Sequence, residues 1–541
     1  MQRKRSPLLV MLICITLMSY GMLAIDPLKT PSNSELHANL ILSSISSYAT
    51  YFGGSNQEDA TKVSFDNEGN TVLIGQTQST DLPVSSGALQ ETFGGGDWDG
   101  FAAKFHENGS LLWATYLGGN GYEHVTNVNV DSSNNIVLTG TTGSTDFHVT
   151  PDAYQSSFAG ITDGFIVKLS PSGDLLYGSY FGGVGEDWAY GVFLDDSDNI
   201  LFGGWSNSIG LATPGAYKST PQGNDVFVAR LSADGSTLQM FTYLGGSGDD
   251  RGWSMTVDED YNIVISGMTT STNLPVTYNA IQDTFGGGID VLYAVVANNG
   301  SKMLFLTYLG GDGEDMGAGS DVDSQGNYIH AGFTQSGDLE TVNALQPEYG
   351  GGTYDSYLFK LSPEFELVYL TYIGGNETDR CWDARVSPDD TIVLVGRSNS
   401  ENYPTLNARY LELSNNYDAF ATEVSSDGQQ ILRSGLFGGL LEDIGEGIAI
   451  DPEGSVVITG RTASSTLPLV DAFQEEYAGS RDVFVCHTIF DVEETPSTTT
   501  PTTTTIPTEP SEFPVIIIIA IVLVIAVILI VVVKRIKSSA N

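Results

Sequence analysis

Between residues 45 and 490 the chain alternates short apolar runs with polar turns. In the first unit Lys62-Val63-Ser64-Phe65 alternates, Asp66-Asn67-Glu68-Gly69-Asn70 supplies turn residues, and Thr71-Val72-Leu73-Ile74-Gly75 is a second run. Period-two alternation broken by Asp, Asn and Gly predicts an antiparallel hairpin. A loop of about twenty residues follows, a length typical of functional loops. Then come Gly100-Phe101-Ala102-Ala103-Lys104-Phe105, the His106-Glu107-Asn108-Gly109 turn and Leu111-Leu112-Trp113-Ala114-Thr115-Tyr116. These runs predict four strands, a to d. No extended helical period intervenes. Ala88-Leu89-Gln90, Ala153-Tyr154-Gln155, Ala344-Leu345-Gln346 and Ala472-Phe473-Gln474 fit a single helical turn in the b–c loop.

The unit recurs. Tetrads of the kind Tyr51-Phe52-Gly53-Gly54 begin at Tyr51, Tyr116, Tyr180, Tyr243, Tyr308, Tyr372 and Leu436, a period of 63 to 65 residues. A four-stranded unit repeated seven times predicts an all-β, seven-bladed β-propeller. The seventh unit ends after Val483-Phe484-Val485-Cys486, without a fourth strand, whereas Ser46-Ser47-Tyr48-Ala49-Thr50-Tyr51 matches a fourth strand. That spare strand, placed on the last blade, is expected to close the ring and leave no open edge.

The pattern Tyr-[Leu/Phe]-Gly-Gly-x-x-x-Glu-Asp, then Asp-x-x-Gly-Asn, a strand ending in Gly-x-Thr and a loop closing on Asp-x-Phe resembles the SBBP family of β-propeller repeats over about residues 45–490. The resemblance implies a secreted or surface propeller and no particular activity. Unit 6 departs most, with Thr378 in place of Glu and Ser387-Pro388-Asp389-Asp390 in place of the usual turn.

Three acidic positions recur. One precedes strand a: Asp59, Asp187, Asp250, Asp315, Asp379 and Asp443, with His124 as the exception. One opens the a–b turn, as Asp66 and Asp131 do. One opens strand c: Asp99, Asp163, Asp225, Asp290, Asp355, Asp418 and Asp482. A site is needed once, so carboxylates present in every blade read first as caps on loop N–H groups. Calcium, held by the acids before strand a together with loop carbonyls, is the sharper alternative; no other cofactor is expected. Gly75 and its counterparts in strand b, through Gly460, are expected to let neighbouring blades approach closely.

The residues after the first acid vary. The first position reads Ala60, Val125, Trp188, Arg251, Met316, Arg380 and Ile444. The second is small throughout, from Thr61 to Gly445. The third reads Lys62, Asn127, Tyr190, Trp253, Ala318, Trp382 and Glu446. Alternation puts first and third together at the mouth of the central channel. Trp188, Tyr190, Arg251, Trp253, Arg380 and Trp382 are therefore the candidate ligand-binding residues, suited to an anionic sugar or a peptide carboxylate. The plain alternative is tryptophans filling a channel mouth and arginines neutralising nearby acids.

The ends add a setting. Arg3, Lys4 and Arg5, an apolar run from Leu8 to Leu23 and small residues beyond predict a signal peptide over 1–24. Residues 491–513 are Thr/Pro-rich and predict an extended stalk. An unbroken apolar run, Val515 to Val533, predicts a membrane helix over 514–533, long enough for a hydrocarbon core of roughly 30 Å. Lys534, Arg535 and Lys537 then mark 534–541 as a cytoplasmic tail. The expectation is a single-pass cell-membrane protein with its propeller outside. A net charge of −44 argues against nucleic acid as a partner. Asn108, Asn299 and Asn376 head glycosylation sequons. Cys381 and Cys486 are a candidate disulfide pair. The expected role is a surface binding or adhesion module for an extracellular protein or glycan, more than an enzyme. The rivals are a polysaccharide hydrolase or lyase using Glu442, Asp443 or Glu446, and a structural envelope component.

Overall fold

The computed structural model describes residues 48–406 and 416–487. The expected signal, stalk, membrane helix and tail lie outside the described residues. Seven antiparallel four-stranded sheets make a seven-bladed propeller. Among the described residues there is no helix, and so none that is long and apolar enough to cross a membrane. The Ala-x-Gln segments form turns and bends instead of a helical turn, because their backbone is tied outward. Gln90 N–H, for example, bonds Thr115 Oγ1 at 2.9 Å.

In blade 1 the strands are Glu58–Phe65 (a), Thr71–Thr77 (b), Asp99–Phe105 (c) and Leu111–Leu117 (d). Strand a starts four residues before the alternating run that announced it. Strands a are innermost and pack on one another around the ring, with strand a of blade 1 against that of blade 7 (Asp443–Ile450). Strands b and c are buried on both faces, which is why they read as nearly continuous apolar runs. Blades meet through apolar faces: Val72 and Ile74 of blade 1 share one cluster with Val125 and Leu138 of blade 2. In blade 7, Asp482–Cys486 pairs antiparallel with Ala49–Phe52, Ala49 opposite Cys486 and Phe52 opposite Val483.

The repeated tyrosine has a structural task. Tyr116 Oη donates to Ser79 O at 2.8 Å and accepts the Leu82 N–H at 2.9 Å, pinning the loop after strand b to strand d. Tyr180, Tyr308 and Tyr372 repeat this. Blade 6 has Leu436 instead, and Tyr403 of its own loop turns inward to bond Thr422 at 2.8 Å. Cys381 and Cys486 are buried thiols on different blades.

Candidate functional site

Two carboxylates stand beneath the Gly-Gly of each d–a loop. The first opens strand a: Glu58, Glu123, Asp187, Asp250, Asp315, Asp379 and Asp443. Each accepts the N–H of the second glycine, from Gly54 to Glu58 at 3.0 Å through Gly439 to Asp443 at 2.7 Å. Hydroxyls at the end of strand b or just past it bond most of them too, such as Thr142 to Glu123 at 2.7 Å and Ser336 to Asp315 at 2.8 Å. The second opens strand c and accepts loop N–H groups, as Asp99 does from Gly94 and Asp290 from Gly286. Gln282 bridges the two halves, donating to Asp290 at 3.0 Å and accepting the Gly310 N–H at 2.9 Å. Burial drives these carboxyls upward, Glu58, Asp99 and Asp355 to about 7, Asp163, Asp290 and Asp443 to about 6.

This register corrects two assignments. In blade 1 the capping acid is Glu58, not Asp59, and blade 2 is no exception, since Glu123 caps there and His124 follows it. The signal was present: the acid lies four residues after the second glycine in all seven units. The Glu-Asp pairs of other blades draw the eye one residue too far in blade 1.

Every strand a then carries a β-bulge, with register shifts from Ala60/Lys62 to Gly445/Gly447. The extra residues are Thr61, Thr126, Tyr190, Trp253, Ala318, Trp382 and Glu446. A bulge re-aims a side chain, here into the channel mouth. It also brings strand a's backbone over strand b. A Cβ on Gly204 would sit 1.9 Å from Trp188 O, and one on Gly267 1.9 Å from Arg251 O. The strand-b glycines therefore make room within a blade, not between blades.

The mouth is a cavity of about 440 Å³. Tyr190, Arg251, Trp253 and Trp382 line it, together with Glu446 and Arg461. Trp188 stands behind this wall, stacked on Tyr190 (centroids 6.0 Å) and on Trp205 (5.6 Å). Arg380 is also set back, 3.7 Å over the Tyr354 ring. Both arginines are engaged. Arg251 is held by Asp249 at 2.9 and 3.0 Å and lies over Trp205.

The opposite wall is ionic. Arg461 pairs with Glu446 at 2.9 Å and reaches Asp59 at 3.6 Å, and Arg481 holds Asp59 at 2.7 Å. Burial pushes the Glu446 carboxyl up to about 7 against the pull of Arg461. Glu446 Oε2 and Trp382 Nε1 are both buried without a hydrogen-bond partner. Glu442 sits outside, on Arg397 at 3.2 Å, and Asp443 is a fully buried cap, so of that trio only Glu446 faces the cavity. Sequence reasoning missed Trp205, Arg397 and Arg461. They are the middle residue of the strand-b Gly-x-Thr/Ser, directly opposite Trp188, Arg380 and Ile444.

The other end of the channel opens into a wider hollow of about 960 Å³ among the a–b turns. Asp66 lines it, and Asp131 and Asp323 open the a–b turns of other blades. Burial would raise them, but Lys104, Lys168 and Lys360 and the turn N–H groups hold them below the usual carboxylate range. Both described chain ends leave on this side: His487 N–H bonds Tyr48 O at 2.8 Å, and the His487 ring meets Phe65 at the end of strand a. Asn108, Asn299 and Asn376 are exposed.

No family model matches the chain, and no curated protein matches it. Among solved structures, the chain is similar to the WD40 β-propeller domain of Doa1, at 8% identity and TM-score 0.42, covering 81% of this chain and 96% of that one. It is also similar to the Dos1 propeller (10%, TM-score 0.37, 81% and 95%). A third is a protein of unknown function from Dyadobacter fermentans (11%, TM-score 0.35, 82% and 98%).

Proposed function

We propose that this chain is a surface binding module of the SBBP type. A signal over 1–24 exports it, a Thr/Pro stalk over 491–513 carries it, and a single helix over 514–533 anchors it. The observation that supports binding is the contrast between blades: the caps repeat, while the bulge side chains at one mouth differ and enclose a cavity of ligand size. The pairing of Ala49–Phe52 with Asp482–Cys486 serves as the clasp that closes the ring. The partner is an extracellular protein or glycan. Hydrolysis is the weaker reading, because Arg461 stands between Glu446 and Asp59 and pairs with an oxygen of each.

The test is a glycan and peptide array probed with the purified protein, with calcium and with chelator. Specific binding supports the module. Loss with chelator turns the capping acids into calcium sites. Silence in both conditions, with an intact fold, favours a structural envelope role.

A further inference from the structure

Resting on the reading of this mouth as a binding site, we infer that its ligand is a neutral saccharide unit, stacked between aromatic walls and held by Glu446 and Trp382.

Charge comes first. The cationic groups of the mouth are engaged internally: Arg251 by Asp249, Arg461 by Glu446 and Asp59, and Lys62 by Asp383 at 2.6 Å. An anionic ligand finds no cavity-lining guanidinium without a carboxylate already on it; Arg380, which carries none, is set back over the Tyr354 ring. The same pairs engage Asp59 and one oxygen of Glu446, so a cationic ligand would have to break them. Neutralised walls favour a neutral guest.

The polar groups left over define its chemistry. Glu446 Oε2 and the donor Trp382 Nε1 are buried without a hydrogen-bond partner, as is Arg461 Nε beside them. Leaving such groups empty costs free energy, and a ligand that satisfies both gains it. The two residues are bulge positions of adjacent blades, 6 and 7, and both line the same cavity. A ligand that donates at one point and accepts at a neighbouring one fits, and hydroxyls on neighbouring ring carbons do both.

Shape points the same way. Tyr190 and Trp253, the bulge residues of blades 3 and 4, line the cavity from other blades. Flat rings with a polar edge accept the C–H face of a pyranose. The cavity of about 440 Å³ suits a small ligand or one or two sugar units of a longer glycan.

The test uses the full chain in a detergent without a sugar headgroup. Titrate neutral gluco-, manno- and galacto-oligosaccharides, oligouronates, and a lysine-rich peptide. We expect saturable binding of at least one neutral series. Glu446→Gln and Trp382→Phe should each weaken it by about tenfold, and Trp253→Ala should abolish it, all with unchanged melting temperature. Binding only of uronates or peptide overturns the saccharide assignment and leaves the binding module standing. Neutral binding indifferent to all three substitutions overturns the site. Silence with every probe, in a folded protein, overturns both readings.

Discussion

Two sets of side chains share one end of this propeller. The carboxylate that opens each strand a and the bulge residue three positions later are separated by roughly 10 Å of backbone, yet they behave oppositely. The carboxylate is an acid in all seven blades and finds its partners locally, from a glycine four residues back and hydroxyls of the paired strand. The bulge residue is Thr, Tyr, Trp, Ala or Glu, and its polar contacts reach other blades: Thr61 Oγ1 donates to Val125 O and Thr126 Oγ1 to Ala189 O, both at 2.6 Å. Arg461 serves Glu446 of its own blade and Asp59, some 400 positions away. Uniformity follows from a task completed within one unit; diversity follows from a surface that seven units share.

The comparison breaks most sharply at the glycine beneath the bulge. Gly267→Val should cost about 3 kcal/mol, since its Cβ would meet the Arg251 carbonyl at 1.9 Å. Urea unfolding measures this; a loss near zero would show that the bulge shifts freely. Next comes the cap. Asp315→Ala removes the shared acceptor of the Gly311 N–H and the Thr334 and Ser336 hydroxyls in a site where Asp315 is 1% exposed, and should cost about 2 kcal/mol.

Acid separates the two kinds of carboxylate. Carboxyls raised on folding add stability that is complete below their unfolded value of 3.8 and is lost as pH rises through their folded values, about 6 for Asp163 and Asp290 and about 7 for Asp99 and Asp355. Asp66, Asp131 and Asp323, which are lowered, add stability above 3.8 that is lost only in stronger acid. The melting temperature should therefore fall from about pH 5 to about pH 8. A flat or rising profile would mean the ring stays ionised at no cost. The smallest effect belongs to the rim: Trp253→Ala should change unfolding free energy by under about 1 kcal/mol, because the ring lines a cavity instead of filling a core. A large loss would make it packing.

Much of the cap ring was legible. The glycine-to-acid spacing is constant, and a local hydrogen bond needs only local spacing. Blade 1 obscures the spacing because Glu58 and Asp59 are adjacent acids and only the first lies four residues after the second glycine. The bulge was not legible, because alternation assumes one residue per pleat, and the extra residue shows only when strand a is laid against strand b. Four of the six nominated residues line the cavity, while Trp188 and Arg380 stand behind it, shielded by Tyr190 and by their own aromatic neighbours.

The sequence alone determined the number of blades, the strands in each and the residues that differ between them, because hairpins, caps and apolar alternation are set within some 65 residues. Which differing residues meet was decided only by the tertiary structure. Closing seven units into a ring sets strand a of the first blade beside the last hairpin, so Asp59 reaches Arg461 and Arg481. It also leaves Glu446 Oε2 and Trp382 Nε1 buried and unanswered, and no spacing along the chain encodes a contact that exists only because the chain returns to its start.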